Sequence, residues 1–292
     1  MRMKIGVTTL LMAKACPDEH DRIRKFAGLG FEALDYAYHS HKGANSLYLK
    51  DSWEEYACSL RETADHAGIC FSQLHGPVLP YGSSQEEETL HEELMVRAFR
   101  VCELLGAPYL VLHPRMRPDC INGENAKRDL DRNVELIRRL LPLAERHGVK
   151  IALENMWGWD PAVKRICRTT FSTVEEILEC LDRLDSEWAV ACLDTGHYNL
   201  IRESPAGAAR KLGKHLKVLH VHDNHGIDDD HMAPFYGHIR WQEFLTALSD
   251  IGYDGVFSSE AHGMTNHLPK EAEADGARLL YTITDALLRT QE

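Results

Sequence analysis

VKIALEN, Val149 to Asn155, decides the reading of this chain. Lys-Ile-Ala-Leu is a short apolar run of strand length, and it ends on a carboxylate, Glu154. The same construction recurs. FSQL (71–74) ends at His75, YLVL (109–112) at His113, WAVACL (188–193) at Asp194, LKVL (216–219) at His220 and YDGVFSS (253–259) at Glu260. Every terminal residue is of a type that binds metal ions. Parallel strands ending this way bring those residues to one end of one sheet, and in a closed βα barrel that end carries the active site.

Strand-like and helix-like patterns alternate along the rest of the chain. KIGVTTL (4–10) and FEALDYAY (31–38) bring the strands to eight. Helices are expected over 18–28, closed by Gly28 and Gly30; after Ser52, placed to cap; over 85–105 and 124–147; after Ser172; over 205–213, following Ser204-Pro205; over 240–252; and over 269–289. The pattern predicts an α/β fold, a single (β/α)8 TIM barrel over residues 1–292 with its active site at the C-terminal ends of the strands. A doubly wound open sheet is the rival, but it has no reason to end most strands on a ligand. Loops after strands (39–51, 76–84, 114–123, 155–171, 223–239) are longer than those before them, as when one face carries function.

Composition narrows the partners. The formal net charge of −12 weighs against nucleic acid as the main partner, although a local basic groove would be compatible with it. An acidic site attracts divalent cations. Eight cysteines (16, 58, 70, 102, 120, 167, 180, 192) form no Cys-x-x-Cys pair, so neither a zinc ribbon nor a disulfide framework is expected. Read as free thiols, they point to a reducing compartment. The start, MRMKIGVTTLLMAKAC, is read as a strand, because two threonines break its apolar stretch. No apolar run approaches the ~20 residues of a membrane span. The expectation is a soluble cytoplasmic protein, with homo-oligomer formation left open.

Three more ligand candidates stand near the six. Asp194-Thr-Gly-His197 adds a histidine just past a strand tip, and Asp229 and His231 share one side of an extended segment. Together His75, His113, Glu154, Asp194, His197, His220, Asp229, His231 and Glu260 exceed one ion and suit two or three, with Glu154 or Glu260 as a bridge. Imidazole with carboxylate suits zinc, manganese, cobalt or iron better than magnesium. The expected cofactor is a divalent metal, zinc or manganese, at one to three ions per chain. With 17 histidines in the chain, single strand-end histidines carry little weight; the joint pattern carries it. His222 shares the inward face of His220 and is read as an acid/base group or a donor to a ligand ahead of a ligand itself. Trp157 and Trp159 stack on a sugar or base, or pack between loops. His39, His41 and His91 are read as solvated.

In order, LHGP, LVLHP, ALEN, LDTGH, LHVHDN, DDH and the last glutamate resemble the xylose-isomerase-like barrel superfamily over about residues 4–262. That group includes sugar epimerases, inosose dehydratase and endonuclease IV. Resemblance to the epimerases implies one ion on Glu154, Asp194, His220 and Glu260, with the two glutamates moving a proton beside a carbonyl. Resemblance to endonuclease IV implies three zinc ions on all nine ligands. Two departures stand out: Phe235-Tyr-Gly237 replaces a Gly-Glu-Gly of related isomerases, and Gly226 stands where ketohexose epimerases have arginine. The expected function is metal-dependent isomerisation or epimerisation of a small polyhydroxylated substrate. Catalysis falls to Glu154, Glu260 and His222, and substrate contact to Trp157, Trp159 and His222. The alternatives are multi-metal phosphoester hydrolysis, polyol dehydration and a non-enzymatic binding barrel.

Overall fold

The computed structural model describes residues 2–43, 45–78, 83–116 and 123–290. Cys120 and parts of the loops expected at 76–84 and 114–123 lie outside the described residues. The strands are β1 (Ile5–Thr8), β2 (Ala33–Tyr36), β3 (Cys70–His75), β4 (Tyr109–Leu112), β5 (Lys150–Glu154), β6 (Gly158–Asp160), β7 (Arg165–Cys167), β8 (Ala189–Asp194), β9 (Leu216–His220) and β10 (Phe257–Ser259). Eight of them form one parallel sheet in the order β10-β1-β2-β3-β4-β5-β8-β9. Just past β9, a parallel bridge between Val221 and Ser259 joins the two ends, with Val221 N 2.8 Å from Ser258 O and Glu260 N 2.9 Å from Val221 O. The result is the expected barrel.

The helices are α1 (Glu19–Leu29), α2 (Trp53–Ala67), α3 (Gln85–Leu105), α4 (Gly123–His147), α5 (Val174–Leu184), α6 (Thr195–Leu200), α7 (Pro205–Leu212), α8 (Trp241–Asp250), α9 (Gly263–Asn266) and α10 (Glu273–Arg289). Their apolar stripes bury against the outside of the sheet, and Phe26, Leu60, Phe99, Ile137, Ile177, Phe244 and Leu280 are all at most 3% exposed.

Local details correct several expectations. Gly30, at φ 106°, closes α1 as its C-cap, while Gly28 lies inside the helix. Ser52 precedes α2 without a side-chain cap. Thr173 rather than Ser172 caps α5, because Glu176 three residues on completes a capping box. Ser172 instead bonds Thr169 N and Met156 O, pinning the loop after β5. That loop is not irregular: β6 and β7 pair antiparallel within it. Cys167, on β7, stands in a disulfide whose partner lies outside the described residues, which corrects the reading of eight free thiols. No helix among the described residues is long and apolar enough to cross a membrane.

Candidate active site and metal centre

Strand alternation sets the site. Val111, Ala152, Cys192 and Val218 form one buried cluster inside the barrel. Two residues further along the chain, on the same face, come His113, Glu154, Asp194 and His220. Each strand thus contributes an apolar plug and then a ligand-type side chain above it. His75 and Glu260 complete the ring from β3 and from the residue after β10.

All nine sequence candidates converge on the mouth. Ligand-type atoms of Glu154, Asp194, His220 and Glu260 lie within 4.8 Å of one another, as do those of His75, Glu154 and His220. His113 Nε2 lies 3.1 Å from Glu154 Oε2, and His220 Nδ1 lies 2.9 Å from Glu154 Oε1. A second cluster joins His197, His222, Asp229 and His231 within the same limit. Of the three roles open to His222, ligand, acid/base group and supporting donor, the structure favours the first by giving it an atom in this cluster, with Nε2 also 3.0 Å from Asp194.

The donor sets fit divalent ions. Glu154 Oε2, His113 Nε2, His222 Nδ1 and Asp229 Oδ1 are buried with no hydrogen-bond partner. Unmet buried polar atoms are costly, and so many of ligand type at one place suit a cation. Ring orientation agrees. The Nδ1 atoms of His75, His197 and His231 lie 3.2, 2.8 and 2.9 Å from the carbonyls of Gly76, Asn155 and Glu260, which turns each Nε2 toward the carboxylates.

Two polar residues hold the frame. Asn155 bonds both the N–H and the carbonyl of Asp194. The Asp194 carboxylate in turn caps α6 by accepting His197 N at 2.7 Å. Asp223, fully buried past β9, accepts Trp241 Nε1, Asn224 N, Phe235 N and Ile239 N, while its backbone pairs with Met232. That clamp closes the loop 224–231 so that Asp229 and His231 hang over the mouth. Trp157 Nε1 donates to Asp229 Oδ2 at 3.2 Å, while Trp159 is 43% exposed at the rim.

The electrostatics separate the two glutamates. Burial would raise the Glu154 carboxyl, but the imidazoles of His220 and His113 outweigh it and hold it well below the usual range. Burial pushes Glu260 up to about 8, against His220 and His231. Burial disfavours charge on His231 too, yet Asp229 raises it to about 9. The imidazoles thus favour the charged form of Glu154, while burial favours the neutral form of Glu260 unless a cation offsets it.

The cavity above these groups is about 490 Å³, within the range of small-molecule sites. Leu10, Val78, Met116, Met156, Trp157 and Trp159 give it an apolar wall opposite the ligands. Sequence reasoning missed two histidines there. His39, expected to be solvated, lies with its ring 4.1 Å from that of His75, and His262 lies 4.2 Å from His231. Burial lowers both to about 3, so both are neutral donors or acceptors. His91 is also half-buried, with Nε2 3.2 Å from Pro77 O, and His41 packs on Tyr36.

Comparison with known proteins agrees with this geometry. The family model described as xylose isomerase-like TIM barrel matches residues 23–283. The D-psicose 3-epimerase of Ruminiclostridium cellulolyticum is 26% identical over 241 residues, covering 80% of this chain and 74% of that protein. An uncharacterised protein of Methanocaldococcus jannaschii is 29% identical over 262 residues, covering 88% of this chain and 83% of its own. Among solved structures, a D-tagatose 3-epimerase-like protein superposes with a TM-score of 0.73 at 26% identity, covering 99% of this chain and 100% of that one.

Proposed function

Since the chain belongs to the xylose isomerase-like TIM barrel family, we propose that it is a divalent-metal-dependent isomerase or epimerase. Its substrate is a small sugar or polyol, and the reaction moves a proton on the carbon beside a carbonyl. The observation that carries this reading is the meeting of Glu154 and Glu260, which line the cavity at the barrel mouth, with the buried Asp194 and His220. The similarity to a D-psicose 3-epimerase and to a D-tagatose 3-epimerase-like protein favours the same chemistry.

A bound zinc or manganese ion would polarise the carbonyl and the neighbouring hydroxyl and so ease proton loss. Glu154, Asp194, His220 and Glu260 would hold it, with His75 and His113 supporting Glu154. The protein's own groups do the rest. Glu154 and Glu260, both ligands in this reading, exchange the proton with the substrate carbon. The indoles of Trp157 and Trp159, which line the cavity, cover the sugar's apolar face and exclude water, while His222, buried below them, acts through Asp194 and the second cluster.

His197, His222, Asp229 and His231 would hold a further ion. That second cluster favours one other reading, phosphoester hydrolysis by neighbouring metals. A single experiment separates them. The metal-loaded protein is incubated in deuterated water with a panel of free ketoses and, in parallel, with a duplex carrying an abasic site. Deuterium entering the carbon next to the carbonyl supports the isomerase; strand cleavage without exchange overturns it in favour of hydrolysis.

A further inference from the structure

The barrel mouth holds one more carboxylate than the two donor clusters use. Asp35 lies on β2, two residues past Ala33 on the inward face, and is 1% exposed. The β2–β3 register shifts beside it, where Leu34 pairs with Phe71 and Asp35 with Gln73, so the extra residue lies on β3 and Asp35 keeps its inward place. Both carboxylate oxygens are buried without a hydrogen-bond partner. A buried carboxylate in that condition is costly unless it serves a neighbour. Its neighbour is His220, whose Nε2 stands 3.1 Å away.

His220 differs from the other imidazoles of the site. Backbone carbonyls hold the Nδ1 atoms of His75, His197 and His231 and leave Nε2 to face the carboxylates. His220 instead turns Nδ1 inward, 2.9 Å from Glu154 and 3.4 Å from Glu260. Its Nε2 has no carbonyl partner and faces Asp35. We propose that Asp35 is a positioning residue: it takes the Nε2 proton of His220 as a hydrogen bond and so commits Nδ1, unprotonated, to the metal. The proposal rests on the metal reading of the Glu154–Asp194–His220–Glu260 cluster. A carboxylate in this place fixes both tautomer and ring angle and makes the ligand nitrogen more basic than a carbonyl would.

The test uses the intact protein and zinc. Zinc affinity is measured by competition with a chromophoric chelator for wild type, D35N and D35A, alongside thermal melts. D35N keeps the size of the side chain and one acceptor oxygen, so it is expected to fold and to bind zinc ~10–100-fold more weakly, with D35A weaker still. Long-range proton–nitrogen spectra of wild type, with His220 assigned through H220Q, read the tautomer without touching Asp35. The expected result is a protonated Nε2 in the zinc-loaded protein. Unchanged zinc affinity in a folded D35N, or a protonated Nδ1, overturns the role of Asp35. Wild type that binds no zinc overturns it too, together with the metal reading. Weakened zinc binding in D35N without sugar exchange in wild type leaves Asp35 in place and removes only the isomerase reading.

Discussion

Gly196 passes so close to His222 that a methyl group on residue 196 would stand 1.9 Å from the Cε1 atom of the imidazole. The glycine of Asp194-Thr-Gly-His197 is therefore a packing requirement: only a bare backbone lets α6 run beside β9 with both His197 and His222 facing Asp229. Gly196→Ala forces either the ring or the helix to move. Overpacking of this kind costs about 1–3 kcal/mol. The expected outcome is a lower melting temperature and loss of metal from the second cluster, read by elemental analysis. A variant with wild-type stability and full metal content would show that the two elements yield easily.

Glu154 and His220 are common to both donor groupings on the barrel axis, and Glu154 is the carboxylate of the pair. Glu154→Gln keeps its size but removes the charge that faces His75, His113 and His220. Changes one layer away from a metal commonly cost ~10–100-fold in affinity, so removing a shared ligand should cost at least ~100-fold. Chelator competition checks it. The same titration should show wild-type stability rising with added metal, since an ion that binds only the folded chain stabilises it. Equal affinity in wild type and E154Q would place the ion elsewhere.

The strand-end ligands were legible because two signals coincide at each: an apolar run of strand length, and a polar residue where the run must stop. His75, His113, Glu154, Asp194, His220 and Glu260 all carry both. Asp35 carries only one. It sits inside FEALDYAY with apolar residues on both sides, so nothing in the sequence separates it from an outward strand position. His39 and His262 follow their strands by a few residues, where only the tertiary path of the loop decides whether a side chain returns to the mouth. Ser172 looked like a helix cap by type; the box formed by Thr173 and Glu176 displaced it by one residue. Asp223 passed unremarked because its four partners include Trp241 and Ile239, more than fifteen residues away.

Asp223 also yields a prediction. Its carboxylate satisfies an indole N–H and three backbone N–H groups. Asp223→Ala leaves those donors unmet, at about 1–3 kcal/mol for each one that stays buried. A drop of several kcal/mol in urea unfolding is expected, with hydrogen-exchange protection lost first across residues 224–239. Asp223→Asn, which keeps one acceptor oxygen, should lose less. If exchange in that loop is unchanged in D223A, the clamp does not hold the loop and Asp229 and His231 owe their places to something else.

Outside the ligand clusters, Glu19 at the start of α1 makes a pH-dependent tie between helix and sheet. Tyr36 and Tyr56 donate to its Oε2 at 2.9 and 2.7 Å, while Arg22 and His41 stand 3.2 and 3.3 Å from Oε1. Burial opposes its charge, but the His41 contact, the Tyr56 hydroxyl and Arg22 prevail and lower it to about 2. An unfolded glutamate titrates near ~4.3, so the ionised form is favoured by folding. The side chain is only 10% exposed, so solvent screens the effect little. The stabilisation is fully present above ~4.3 and is lost as pH falls through about 2. At ~1.4 kcal/mol per unit the gap amounts to about 3 kcal/mol. Glu19→Gln removes the titration and leaves the two tyrosine hydroxyls an acceptor. Between pH ~5 and ~2.5 the wild type should therefore lose stability more steeply than E19Q in urea unfolding, by up to that amount. Parallel slopes for the two proteins would mean that Glu19 is no more ionised in the folded chain than in the unfolded one.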